Sequence, residues 1–451
     1  MPTGRFVRAL LVTCAACCSA SAAAAGLSAT EKKVVSASEA QTPKAIELME
    51  KLVNINSGTL NIDGVTQIAQ IMRQQFEPLG FKVRWIPMSE VGRAGVLVAE
   101  HRGGGRGARV LLIGHMDTVF EKDSPFQRYV RQSDTTAEGP GVNDMKGGLA
   151  IMVAALRAMQ SAGTLSKAHI TVVLSGDEEW PGQPLSVARR DMRAAAAQSD
   201  VALEFEGLAQ EDGQDMGTIA RRGFTSWRLT ASAQSGHSSG IFSDRAGYGS
   251  IYEIARILDG FRRDAREPNA TFNVGLIAGG ATAEAEEGGE KAAATGKTNI
   301  IPGTAVATGD LRTLSNEQTA RVEARMRSIV EQHLPGTKAE IKMEDEYPAM
   351  APTAGNRALL AMLNGINRDL GLAEMQELDP AKRGAGDISF VADQVDALVG
   401  FGAAGKGAHA PGETVDLTAF DRQIKRTALM LGRLAATPYR HAGASSGPKS
   451  G

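Results

Sequence analysis

The strongest constraint on this chain is a series of short apolar runs that end in acids or histidine. Segments 81–86, 95–99, 109–113, 170–174 and 201–205 are rich in Val, Ile and Leu. Apart from 81–86, which Lys82 and Arg84 interrupt, they are too continuously apolar for strands with one wet face, so they read as strands covered on both sides. Helical spacing separates and precedes them. Segment 42–56 carries Ile46, Met49, Leu52 and Val53, segment 65–76 follows the Ser57-Gly58 turn, and segment 148–160 lies between two of the runs. This alternation predicts an α/β fold with a largely parallel, helix-covered sheet.

The texture changes near Gly217. Segment 220–231 alternates like a strand, 248–261 is helical, 271–277 and 304–313 are strands, and 316–332 is helical. One-face helices beside alternating strands predict a smaller α+β module inserted at 217–336. Within it, 278–296 is biased to Gly, Ala and Glu and reads as a long exposed hairpin loop. The first domain would then comprise 26–216 and 337–436, followed by a small, polar, disordered tail at 437–451.

The N-terminus reads as an export signal. Arg5 and Arg8 form a basic start, 9–20 is apolar, and 22–25 offers small residues for cleavage near Ala25. The three cysteines, Cys14, Cys17 and Cys18, all fall in the segment to be removed, which excludes disulfides, thiol catalysis and Cys-zinc sites from the mature chain. Leu11-Val12-Thr13-Cys14 lacks the small residue that usually precedes a lipid-bearing cysteine, so no membrane anchor is expected. A periplasmic or secreted protein follows. Lys plus Arg number 49 against 51 acids, a balance without the electrostatic footprint of a nucleic-acid or anionic-membrane partner.

The ends of the strands carry the chemistry, as the carboxyl edge of an α/β sheet does. Segment 109–113 runs into Gly114-His115-Met116-Asp117, and strand alternation puts His115 and Asp117 on one side. A metal ligand with the carboxylate that orients it has this form, and so does a solvated strand end. A glycine-rich turn, Gly139-Pro140-Gly141-Val142-Asn143-Asp144, presents Asp144 just before a helix, where it could also serve as an N-cap. Segment 170–174 ends in Ser175-Gly176-Asp177-Glu178-Glu179, three adjacent acids whose repulsion asks for a cation unless the turn is merely exposed. Another run ends in Glu204-Phe205-Glu206. Of the seven histidines, His101, His169, His333 and His441 occupy structural or surface contexts, which leaves His115, His237 and His409. Two histidines and many carboxylates without cysteine suit zinc, and the excess of carboxylates suits a two-metal site with a bridging Asp.

Taken in order, these motifs resemble the co-catalytic di-zinc peptidases and deacylases, which include glutamate carboxypeptidases, aminoacylases and succinyl-diaminopimelate desuccinylase. They are Gly114-His115-Met116-Asp117-Thr118-Val119, Gly139 to Gly148 through Asp144, Asp177-Glu178-Glu179, Leu203-Glu204-Phe205-Glu206, and His409 followed by Glu413. The resemblance implies a catalytic domain with a helix-covered mixed sheet, interrupted by a dimerisation or lid domain. It implies two Zn2+ ions per subunit: His115 and Glu206 on one, Glu179 and His409 on the other, Asp144 between them. Glu178 becomes the general base, and Asp117 the orienter of His115. In Gly236-His237-Ser238-Ser239, His237 would reach the active site of a second subunit in a homodimer to stabilise the oxyanion. Asn299 and Arg312 match positions that hold a substrate's terminal carboxylate, and Arg383 could add a cation for an acidic side chain. Glu204 is an alternative ligand, but Glu206 holds the family's position. Two stretches depart from the pattern: Trp180-Pro181-Gly182-Gln183-Pro184 after the paired glutamates, and Arg383-Gly384-Ala385-Gly386-Asp387 in a later loop.

The function this implies is a secreted zinc exopeptidase that removes a C-terminal amino acid, with glutamate favoured. An N-acyl amino-acid deacylase or dipeptidase would use the same metals on a small peptide or acyl amino acid. A catalytically silent metal-binding protein would not need Glu178.

Overall fold

The computed structural model describes residues 26–286 and 288–439. The expected export signal at 1–25, with its cysteines, lies outside the described residues, as does 440–451. Among the described residues no helix is long and apolar enough to cross a membrane.

A six-stranded sheet forms the main core. Its spatial order is Lys82–Met88, Arg93–Arg102, His169–Ser175, Arg109–His115, Val201–Glu204 and Asp396–Val399. The first three strands alternate in direction, each antiparallel to the next, and the last four are mutually parallel. The sheet is therefore mixed, with an antiparallel edge on the expected parallel centre. Every residue of Val201–Glu204 is buried, and so are all of Arg109–His115 but Arg109, which is why these runs show no alternation. The register brings His115 beside Ser175 and Ile113 beside Glu204. One edge of the sheet thus collects the chemistry of three strands.

Helices Ala29–Val53, Gly147–Ser161 and Ala419–Ala436 pack against one another on this sheet. Gly147–Ser161 has almost no polar face because it lies between the other two. At Gly148 a Cβ would collide with the Phe205 carbonyl, so glycine there lets the helix start close to the strand end. The first helix begins well before the expected residue 42. Ser28 and Glu31 form a reciprocal capping box (2.9 and 3.2 Å) that nucleates it in the more polar stretch before 42.

A second, four-stranded antiparallel sheet has the order Thr271–Gly280, Thr304–Thr313, Gly223–Ala233 and Thr337–Tyr347. Strand Gly223–Ala233 alternates buried and partly exposed residues. Its Trp227, Leu229 and Ala231 pack under helices Ser250–Asp264 and Asn316–Val330 with Ile257, Phe261 and Met326. Three expectations need correction. Strand Thr337–Tyr347 completes this sheet, so the module extends past 336; its alternation of apolar and charged residues suits a sheet with one covered face. Segment 278–296 is a hairpin but neither all loop nor all exposed, because Thr282–Ala285 pairs with Ala292–Thr295 and buries Ala283. Nor does order stop at Thr437: Tyr439 donates to Asp396 at 2.8 Å and packs on the main core.

Asp215, in strand Gln214–Gly217 of a small three-stranded sheet, ties that sheet to the last helix by accepting from Arg422 (2.9 and 3.0 Å) and Arg426 (2.6 Å), and also accepts from Gln210 (2.9 Å). Burial alone pushes its carboxyl up, but the hydrogen bonds from Arg422, Gln210 and Arg426 outweigh this and hold its pKa at about 2. Asp215→Asn is expected to cost about 2 kcal/mol at pH 7, the scale of hydrogen bonds to a charged group. A depressed pKa stabilises above the unfolded value of ~3.9 and loses its effect as protonation sets in. In urea unfolding, the gap between wild type and variant should therefore narrow from about pH 4 down to about pH 2. A gap independent of pH would contradict this role.

Candidate metal centre

His115 closes its strand at 1% exposure. Its Nε2 lies 3.0 Å from Asp144 Oδ1 and 3.4 Å from Glu206 Oε1. Its Nδ1 faces the backbone carbonyl of Asp117 at 3.2 Å and the Asp117 carboxylate at 3.4 Å, which fixes the ring and turns Nε2 toward the acids. The same Asp117 carboxylate accepts from Thr59 Oγ1 (2.7 Å) and from the backbone N–H groups of Glu178 and Glu179 (3.1 Å each). Asp117 therefore fastens the turn carrying both glutamates as well as facing the imidazole.

Asp144 sits in an irregular turn (φ −119°, ψ 91°), and the residue that precedes helix Gly147–Ser161 is Lys146, without a side-chain cap, so Asp144 is not that helix's N-cap. Its other oxygen, Oδ2, lies 3.1 Å from His409 Nε2, which is also 3.1 Å from Glu179 Oε2. His409 stands in the left-handed region (φ 66°), a conformation that aims its side chain back from an otherwise exposed loop. Three overlapping groups result: His115 with Asp144 and Glu206, His115 with Glu178 and Glu179, and Asp144 with Glu179 and His409, each with donor atoms within 4.8 Å. Asp144 offers one oxygen to each histidine. Glu204 turns away to Arg221 (2.8 Å) and the Ile388 N–H (2.8 Å), while Glu206 stays in the cluster.

The electrostatics of this cluster suit cations. Burial pushes the Glu178 carboxyl well above the usual range; His115 opposes the shift, and Glu206, Glu179 and Asp387 reinforce it. Burial raises Glu179 to about 7. Hydrogen bonds to Asp144 and Glu179 lift His409 to about 11. Burial disfavours a charged His115, yet Asp117, Asp144 and Glu206 lift it well above its ordinary value. Glu178, Glu179 and the two imidazoles thus hold protons that a bound divalent ion would displace, the pattern expected of imidazole and carboxylate ligands. The four carboxylates and two imidazoles are hard and borderline donors that suit a pair of divalent ions, and four negative charges would balance two such ions.

Beside the cluster lies a cavity of about 500 Å3, whose walls include Glu178, Glu179, Glu206, Tyr347, Arg312, Arg383 and His409. Arg312 pairs with Asp310 at 2.9 Å and stacks over Phe224 at 5.0 Å. Arg383 donates to the Gly207 carbonyl. Pro181, from the departing stretch 180–184, also forms part of the wall. His237 and Asn299 do not join these residues. They sit together where Gly236–His237 pairs with Ile300–Ile301 and the Ser238 N–H donates to Asn299 O at 3.0 Å. Arg312 lies near the far end of Thr304–Thr313, roughly 26 Å along the strand from its start at ~3.3 Å per residue. Within one chain Asn299 and Arg312 therefore cannot hold the same carboxylate.

Sequence reasoning missed the groups that brace the centre. Asp177 does not face the cavity: Arg189 takes its carboxylate at 2.8 Å and its carbonyl at 2.9 Å, and also pairs with Asp387 at 2.7 Å. Arg221 spans Glu204 and the carbonyls of Gly384 and Ala385. The one available signal was the doublets Arg189-Arg190 and Arg221-Arg222, each set among apolar or small residues where a charge needs a buried partner.

Residues 111–436 match the family described as Peptidase family M20/M25/M40. The chain is 25% identical over 427 residues to Carboxypeptidase G2 of Pseudomonas sp. (strain RS-16), covering 91% of this chain and 95% of that one. It is also 25% identical over 333 residues to Succinyl-diaminopimelate desuccinylase of Gluconacetobacter diazotrophicus, covering 72% and 82% respectively. Among solved structures, aminopeptidase PepT from Bacillus cereus superposes with a TM-score of 0.69 at 15% identity, over 87% of this chain and 99% of that chain. Enzymes of the matched family bind divalent metals, typically two. This chain belongs to peptidase family M20/M25/M40 and is a metal-dependent hydrolase.

Proposed function

We propose that this protein is an exported zinc exopeptidase that cleaves the amide bond to a C-terminal amino acid, with glutamate preferred. The observation that carries the reading is Asp144, whose two oxygens face two separate histidine-containing groups beside a cavity walled by Arg312 and Arg383. His115 and Glu206 would hold one Zn2+, Glu179 and His409 the other, with Asp144 shared. When bound, two such ions supply Lewis-acid polarisation of the scissile carbonyl and lower the pKa of water toward neutrality. Glu178, next to a ligand but free of that duty, accepts the proton of the attacking water. It then delivers that proton to the amine nitrogen as the C–N bond breaks and the new C–O bond remains. Arg312 receives the α-carboxylate through its planar fork, and Arg383 favours an acidic side chain. Similarity to a carboxypeptidase supports this choice. Similarity to a desuccinylase supports the alternative of an N-acyl amino-acid deacylase, and the products from a panel of acyl amino acids and dipeptides separate the two.

The distance between Arg312 and the His237–Asn299 pair supports completion of the site by a second copy, with the inserted sheet as the dimerisation unit. His237 Nδ1 accepts from the Ser239 N–H at 3.2 Å, which leaves Nε2 to carry the proton and face outward toward a developing oxyanion.

With an acyl-Glu substrate the expected product is free glutamate, formed faster than leucine from the matching acyl-Leu, lost on chelation and restored by Zn2+. Glu178→Gln should keep its metal and lose at least ~10²-fold in kcat. Near-normal turnover in the metal-loaded variant would remove Glu178 from the role. Mixing inactive His237→Ala chains with inactive Glu178→Gln chains should regenerate part of the activity through hybrid dimers. No recovery after demonstrated subunit exchange would place His237 outside the partner's site.

A further inference from the structure

Glu413 has a carboxylate with no exposure to solvent, and it is spent entirely on another loop. Its Oε2 accepts the Gly141 N–H at 2.9 Å, and its Oε1 accepts the N–H groups of Asn143 (2.8 Å) and Asp144 (2.9 Å). Three amides converging on one anion form a nest, made possible here by Gly141 in the left-handed region (φ 75°). The grip is reinforced from the backbone, since Gly139 N–H donates to the Glu413 carbonyl at 3.1 Å and Thr136–Glu138 pairs with Thr414–Asp416. Glu413 stands four residues after His409, and the amides it holds include that of Asp144 itself. One side chain therefore joins the loop that supplies the shared carboxylate to the loop that supplies the second histidine.

We propose that Glu413 is a positioning residue for the metal centre: it sets the spacing between Asp144 and His409 and so preorganises the donors for ion binding. This rests on the ligand assignment above. Without the carboxylate, three buried amides lose their acceptor, and the turn bearing Asp144 is free to settle with its oxygens away from one or both histidines. Substituting Gln opposes an NH2 group to at least one of those N–H groups. Substituting Asp keeps the charge but shortens its reach by one methylene.

The test measures Zn2+ affinity by competition with a chromophoric chelator, alongside the melting temperature of the metal-free chain. Glu413→Gln and Glu413→Asp should each bind Zn2+ about 10–100-fold more weakly than wild type, the scale seen when a ligand's support is removed. Met159→Ala, in the same core but at the far end of helix Gly147–Ser161, controls for general destabilisation and should keep wild-type affinity at a comparable loss of melting temperature. Wild-type affinity in the Glu413 variants, or a loss no larger than that of Met159→Ala, would overturn the proposal. If Glu413→Gln fails to fold, Glu413→Asp alone decides in the same way. His115→Ala and Asp144→Asn in the same titration test the ligand assignment separately: if they bind Zn2+ as wild type does, the assignment fails first, whatever Glu413 does.

Discussion

The structure is organised around the repulsion among Asp144, Glu178, Glu179 and Glu206, four carboxylates gathered at one edge of a sheet with two imidazoles. Carboxylates brought together out of water resist ionisation: burial holds Glu178 and Glu179 above their ordinary range, while, against burial, the imidazoles that face Asp144 and Glu206 hold those two below it. The fold answers this locally with backbone and side-chain clamps. Asp117 takes the amides of Glu178 and Glu179, Arg189 anchors Asp177 below them, and Arg221 neutralises Glu204 beside Glu206. These clamps fix the positions of the acids while leaving their net charge for divalent ions to balance.

The parallel strands explain why so much of this could be read from the chain. A central strand must be apolar along its buried length, so the polar residues that follow it stand out, and at His115, Glu179 and Glu206 they stand at one edge because three strands point the same way. Continuous runs also placed the central strands to within a few residues. What stayed illegible depended on distant partners. Asp177 and Glu178 are adjacent and chemically similar, yet only the position of Arg189 turns one away from the cavity and leaves the other beside it. Strand Thr337–Tyr347 carried the alternation of a one-faced strand, but its sheet was decided by pairing with Gly223–Ala233, more than a hundred residues earlier. Ser28 and Glu31 did spell out a helix start, obscured by the low apolar content of the turns that follow.

The inserted sheet contributes through its length. Strand Thr304–Thr313 carries Arg312 at one end, against the cavity, and leads at the other to the segment where Asn299 and His237 meet. The strand sets Arg312 against the chain's own cavity and leads to the other pair beyond its opposite end, roughly 26 Å along the strand at ~3.3 Å per residue; under the proposed function that pair serves a second copy. Under the proposed function the two sheets divide the work, with the first fixing donors and base and the second presenting recognition groups at both ends.

Elemental analysis of the purified protein tests the central claim most directly. The account predicts about two divalent ions per chain in the active wild type, and loss of both from a folded Asp144→Asn variant, because one carboxylate serves both histidine groups. Full hydrolytic activity in metal-free wild type, or an Asp144→Asn variant that retains both ions, would contradict it.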